Sequence, residues 1–121
     1  MIYILLPCYN EYSNLLPLIK KINLIDVNKK SKINILIVND GSTDETHKKI
    51  KKLKKISKNK IIYLKHKINF GLNIALLSGF KKIMTIGKKK DIVITLDSDN
   101  THPVNLIPKM CHLLNFKNYD I

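Results

Sequence analysis

The sequence predicts an α/β domain of three layers, α/β/α, built around a mostly parallel sheet. Three observations lead to it. Short, β-branched apolar runs alternate with longer stretches of helical periodicity. The inner runs are apolar almost throughout, as strands covered on both faces are. The length of 121 residues, 45% of them hydrophobic, suits one domain with a usable core. Four strands alternating with helices imply right-handed crossovers, although periodicity does not fix the strand order.

Taken in order, Ile2 to Leu6 reads as the first strand and Pro7 to Asn10 as a loop. Leu15, Leu16, Ile19 and Ile22 recur at helical spacing and predict a helix from about Ser13 to Asn23. Pro17 is placed in its first turn, where a missing N–H is harmless. Asn28 to Lys32 is a polar connection, and Ile33 to Val38 is the second strand. Asn39-Asp40-Gly41-Ser42 breaks it, and Ser42 with Glu45 reads as a capping box. The helix that follows carries Ile50, Leu53 and Ile56 on its apolar side. Ile61 to Leu64 is the third strand. Gly71 to about Ile86 is a helix with Leu72, Ala75, Leu76, Phe80 and Ile83 inward, stopped by Gly87. Ile92 to Leu96 is the fourth strand. Pro103 opens the last helical region, with regular helix only near Pro108.

Composition bounds the function. The net charge is +13, and all 22 basic residues are Lys. Such a surface draws anions, but without Arg or interleaved exposed aromatics a nucleic-acid site is not expected. Lys48, Lys51, Lys52 and Lys55 share one helical face. That face suits an anionic membrane surface, and a solvated outer face is its simpler account. No apolar run approaches a membrane span, and Ile2 to Leu6 is too short for a secretory signal. The expected location is cytoplasmic, at most peripheral to a membrane. Cys8 and Cys111 have neither disulfide-framework nor zinc-ligand spacing.

Three loops follow predicted strands: Pro7-Cys8-Tyr9-Asn10-Glu11, Asn39-Asp40-Gly41-Ser42-Thr43-Asp44, and Asp97-Ser98-Asp99. In a parallel sheet the strand C-termini share one edge, so the three loops should meet there. Turn chemistry or helix capping explains each loop taken alone. Convergence favours a site. Asp97 and Asp99, two like charges side by side, are costly unless a cation shares them. A divalent metal held by hard oxygen ligands, itself holding a phosphate, answers that.

These residues resemble the nucleotide-sugar-binding half of family 2 glycosyltransferases, which have a Rossmann-like GT-A fold, and most closely the dolichol-phosphate mannosyltransferase-like branch. Leu6-Pro7-Cys8-Tyr9-Asn10-Glu11 resembles the family's P-x-Y-N-E loop. Val38 to Asp44 resembles V-D-D-G-S-x-D. Asn69-Phe70-Gly71-Leu72-Asn73-Ile74-Ala75 resembles N-x-G-x-x-x-A, and Leu96 to Pro103 resembles D-x-D-x-x-H-P. The four motifs span nearly the whole chain in the family's order.

The resemblance implies roles. Pro7, Tyr9 and Glu11 line the nucleotide pocket, Tyr9 against the base. Val38 and Asp40 hold the base, with Asp40 accepting hydrogen bonds. Asp97 holds the ribose or donor sugar, with the Ser98 backbone beside it. Asp99 binds Mg²⁺ or Mn²⁺ on the diphosphate, with Thr101 and Asp97 as weaker ligands. The donor is a GDP- or UDP-sugar, and the acceptor is a polyprenyl phosphate at a membrane face. Transfer inverts the anomeric centre.

Three departures stand out. Asn39 replaces the family's first Asp, and Thr101 stands where a Gln often helps hold the metal. His102 reads either as a partner of the metal site or as a locally bonded helix-start residue. In the family the acceptor half lies beyond Asn118-Tyr119-Asp120-Ile121, which reads as the next strand. Residues 1–121 therefore correspond to the nucleotide-sugar-binding part, with acceptor half and general base absent. This leaves as alternatives a non-catalytic binding remnant or a basic interaction protein. A nucleotidyltransferase is disfavoured because its Gly- and Lys-rich first loop is missing, and a dehydrogenase because no G-x-G-x-x-G follows the first strand.

Overall fold

Four parallel strands carry the molecule, in the order β3-β2-β1-β4. The computed structural model describes residues 1–27 and 30–117, with side chains as far as residue 114. The elements run β1 (Ile2–Cys8), α1 (Tyr12–Asn23), β2 (Ile33–Asp40), α2 (Thr46–Ile56), β3 (Lys60–His66), α3 (Leu72–Ile86) and β4 (Ile92–Thr95). A 3-10 turn, Val104–Leu106, then leads into α4 (Ile107–Lys117). The predicted α/β/α layering is what forms. The strand predicted at 118–121 lies outside the described residues, as do Asn28 and Lys29 of the polar connection.

Alternation along the strands builds two cores. Ile2, Ile4 and Leu6 of β1, with Ile33, Ile35 and Ile37 of β2, face α1, α2 and α4. There they meet Leu15, Leu18, Ile19 and Ile22 of α1, Ile50 and Leu53 of α2, and Ile107 of α4. On the opposite face Tyr3, Leu5, Leu36 and Val38 meet α3 through Ala75 and Ile83. Gly79 lies between those two helical residues. A Cβ at Gly79 would come within 2.3 Å of Leu5 Cδ1, so the missing side chain is what lets α3 settle on the sheet.

The strands run further than their apolar runs. Pro7 and Cys8 pair with Val38 and Asn39, and Asn39 and Asp40 pair with Lys65 and His66. Pro7 therefore belongs to a central strand, not to a loop. Leu96 N–H donates to Leu5 C=O (3.1 Å), so odd residues of β1 turn their main chain towards β4. Pro7 continues that series past Leu5, the last β1 residue that β4 pairs with, and its missing N–H costs no ladder bond.

Several expectations are corrected. Pro17 is the sixth residue of α1, beyond the first turn. It and Ser13 are exposed, so water can take the Ser13 carbonyl left without a helical donor. Ser42 and Glu45 form no capping box. Asp44 instead receives the Thr46 N–H (3.0 Å) and hydroxyl, because Ser42 Oγ is turned towards the first loop. Ile56 is exposed at the last position of α2, and Thr46 is buried at the first. Leu72 and Phe80 are exposed as well. The small residues Ala75 and Gly79 define the inward line of α3, which moves those two larger side chains to its flanks.

Candidate functional site

Parallel pairing brings the ends of β1, β2, β3 and β4 to one rim, and hydrogen bonds tie the loops along it. Asn10, at φ 52°, is the first tie. Its N–H donates to Ser42 Oγ (3.0 Å), and its Oδ1 accepts from the Thr43 (2.8 Å) and Asp44 (3.3 Å) amides. Asn tolerates this left-handed backbone better than most residues. The β4 loop is fastened by Ser98 Oγ, which donates to Pro7 C=O (2.8 Å), and by Asn100 Nδ2, which donates to Asn14 C=O (2.9 Å).

The fourth loop, between β3 and α3, closes over Asp40. Its carboxylate is buried. Oδ1 lies 2.8 Å from His66 Nδ1 and accepts the Phe70 N–H (3.0 Å), while Oδ2 accepts the Gly71 N–H (2.9 Å). Burial alone would raise this carboxyl's pKa. The His66 bond and the two amides outweigh it and hold the group below its ordinary value, so it is charged at neutral pH. Gly41, at φ 68°, makes the closure possible, since a Cβ there would lie 2.2 Å from the Ile68 carbonyl carbon.

Asn39 turns to the other sheet face. Fully buried, it donates to Tyr63 OH (2.9 Å) and accepts the Ser42 N–H (3.1 Å). Tyr63 OH also meets His47 Nδ1 at 2.7 Å. In place of an Asp, Asn39 thus bonds both neighbours without burying a second charge beside Asp40. Cys8 is equally enclosed. Burial, with Glu11 nearby, pushes its thiol up to about 12, so it is no nucleophile at neutral pH.

The turn after β4 has the opposite character. Asp97 and Asp99 are exposed on either side of buried Ser98. Asp99 Oδ1 accepts the Thr101 hydroxyl (2.6 Å) and N–H (3.0 Å), and these bonds hold its pKa below the ordinary value. His102 is bonded locally. Its Nδ1 accepts the Asp97 N–H (3.1 Å), and its Nε2 lies 3.6 Å from Asp97 Oδ2. Among the described residues no three His, Cys, Asp or Glu side chains gather as a ligand set. One ionised carboxylate with a neighbouring hydroxyl is nevertheless a donor set that fits a hard cation whose remaining ligands are phosphate oxygens and water.

The rim therefore gathers the residues singled out from sequence, in three conditions. Tyr9, Asp97, Asp99 and Thr101 are exposed along it. Pro7 and Glu11 are partly buried, and Glu11 Oε2 accepts from Asn14 Nδ2 (2.7 Å). Val38, Asp40 and Ser98 are buried. Val38 is a core residue, so any contribution it makes to a ligand comes through its main chain. The sequence reading assigned no role to Asn10, His66 or Ser78. The rule that strand ends share an edge applied equally to the end of β3 and would have pointed to His66.

The sequence matches the family model described as glycosyl transferase family 2 over residues 3–121. It is similar to a UDP-N-acetylglucosamine–dolichyl-phosphate N-acetylglucosaminyltransferase of Methanococcus voltae, at 35% identity over 91% of this chain and 45% of that protein. An undecaprenyl-phosphate 4-deoxy-4-formamido-L-arabinose transferase of Pseudomonas savastanoi is 28% identical over 98% of this chain and 33% of its own length. The chain thus spans less than half of these relatives. Among solved structures, S. aureus TarS 1–349 in complex with UDP superimposes with a TM-score of 0.75 at 18% identity, covering 94% of this chain and 32% of that one, a likeness of fold.

Proposed function

The chain belongs to glycosyl transferase family 2, and from that premise we propose that residues 1–121 form the nucleotide-sugar-binding part of an enzyme that transfers a sugar to a polyprenyl phosphate. The observation that carries the proposal is the rim. A buried acceptor carboxylate at the end of β2 and an exposed acidic turn after β4 stand two strands apart, about 10 Å at ordinary strand spacing. That separation suits a base at one end and a diphosphate at the other. The names of the relatives and the UDP complex of the structural neighbour favour a UDP-sugar over a GDP-sugar as donor.

In this reading Tyr9 stacks on the base and Pro7 and Glu11 shape its pocket. Asp40 and the Val38 main chain hold the base edge. Asp97 takes a hydroxyl of the ribose or donor sugar, beside the Ser98 backbone. Asp99, with the Thr101 hydroxyl and Asp97 as lesser donors, holds Mg²⁺ or Mn²⁺. The bound ion offsets charge on the departing diphosphate as a Lewis acid. Ser98, fastened to Pro7, keeps the acidic turn in register with the base pocket, so both ends of the donor are held by one rigid edge. A polyprenyl monophosphate oxygen is already ionised near neutral pH, so the acceptor needs no proton removed by this half. Direct displacement by that oxygen forms the new C–O bond as the bond to the diphosphate breaks, with inversion.

Such an acceptor lies in a membrane. Among the described residues no helix is long and apolar enough to cross one, and in this reading the domain meets the membrane from its cytoplasmic side. The exposed Lys48, Lys51, Lys52 and Lys55 of α2 supply suitable charge.

The test is calorimetric titration of the 121-residue protein with UDP, with and without Mn²⁺. UDP should bind, and Asp99→Ala should abolish the manganese-dependent share of the affinity. A variant that keeps that dependence refutes the ligand assignment.

A further inference from the structure

Asp40 is almost saturated by its own chain. A carboxylate offers about four acceptor positions, two on each oxygen. The His66 ring and the Phe70 N–H fill both on Oδ1, and the Gly71 N–H, shared with Asn69 Oδ1 (3.0 Å), takes one on Oδ2. One position on Oδ2 is left, and 5% of the Asp40 side-chain surface remains open.

His66 is not free to leave. Its Nε2 lies 2.8 Å from Ser78 Oγ on α3, and Phe70 packs edge-on against the ring at 5.4 Å between centroids. Because Asp40 is an ionised acceptor, the network places a proton on Nδ1, whose N–H donates to Oδ1. Strand end, loop and helix thus hold one imidazole N–H against one carboxylate oxygen.

We infer that His66 determines base specificity: by filling Oδ1 it leaves Asp40 able to receive a single base N–H, the number a uracil imide presents, and not the two adjacent N–H donors of guanine. The inference rests on the proposed donor-binding reading of the rim. Guanine placed there would bury one donor without a partner. A site that strands a polar group discriminates far more sharply than one that differs in apolar contact. Uracil, with acceptor oxygens on both sides of its one N–H, strands no donor.

The experiment compares UDP, GDP and N3-methyl-UDP as ligands of the wild type, His66→Ala and His66→Asn, with thermal melts as a folding control. Wild type should prefer UDP over GDP by at least about tenfold, the worth of one hydrogen bond to a charged group. It should lose a similar factor on N3-methyl-UDP, a comparison that needs no variant. His66→Ala, which frees a position on Oδ1, should narrow the UDP:GDP ratio. His66→Asn, whose amide replaces the Nδ1 donor, should restore it. A merely structural role would weaken both nucleotides alike and leave the ratio unmoved, and that result overturns the inference. So does a wild type that binds UDP and N3-methyl-UDP equally, or UDP and GDP equally. A wild type that binds neither UDP nor GDP sinks the donor-site reading itself.

Discussion

Gly41 and Asp40 are neighbours with complementary duties: one lets the β3–α3 loop approach, the other bonds it. Gly41→Ala meets a left-handed backbone, worth about 1–2 kcal/mol against any L side chain. It also drives a methyl into Ile68 main chain, so the loss should exceed that range in urea unfolding. Asp40 gives a pH signature. Its folded pKa lies below the ordinary 3.8. A depressed carboxyl stabilises the fold above that ordinary value, and the contribution disappears as pH falls through the folded one. The melting-temperature gap between wild type and Asp40→Asn should therefore be widest near neutrality and shrink below about pH 4. The sequence made Asp40 legible as a candidate site residue, because an acid after an apolar run marks a strand end. Its closure by His66 was not legible, since that depends on the register of β2 against β3.

At the scale of elements, every strand and helix predicted within the described residues forms, and the errors gather at their ends. Ends are decided by partners, which periodicity does not contain. Pro7 looked like a loop until β1 proved to extend past its β4 neighbour. The start of α2 is the sharpest case. Ser42 and Glu45 have capping-box spacing, yet Asn10, a residue of a distant loop, claims the Ser42 hydroxyl. Asp44→Ala should therefore cost about 1 kcal/mol, the worth of an N-terminal cap. Glu45→Ala removes only an exposed ion pair with Lys48 (3.0 Å) and should change stability by less than about 0.5 kcal/mol. Parallel denaturant titrations separate the two. α3 shows the converse: its existence was plain, but its inward line was not, because Gly79 is invisible to a reading that counts large apolar residues.

The whole molecule carries a net charge of +13, and the exposed lysines of α2 have few acids beside them. Self-repulsion among surface lysines is screened over about 10 Å at 0.1 M salt. The melting temperature should therefore rise between roughly 0.01 M and 0.3 M NaCl, and a flat or falling curve in differential scanning calorimetry contradicts this. Layering and the clustering of loops on one edge were readable from the alternation of runs. The order of strands was not, and it has a temporal consequence. Of the four strands β1 is made before the others and ends in the middle of the sheet. It can pair with β2 as soon as that strand has emerged, but its other flank waits for Ile92 to Thr95. Until then the nascent chain offers a half-clothed central ribbon to its surroundings, and completion hinges on a late, long-range encounter of the kind that slows folding.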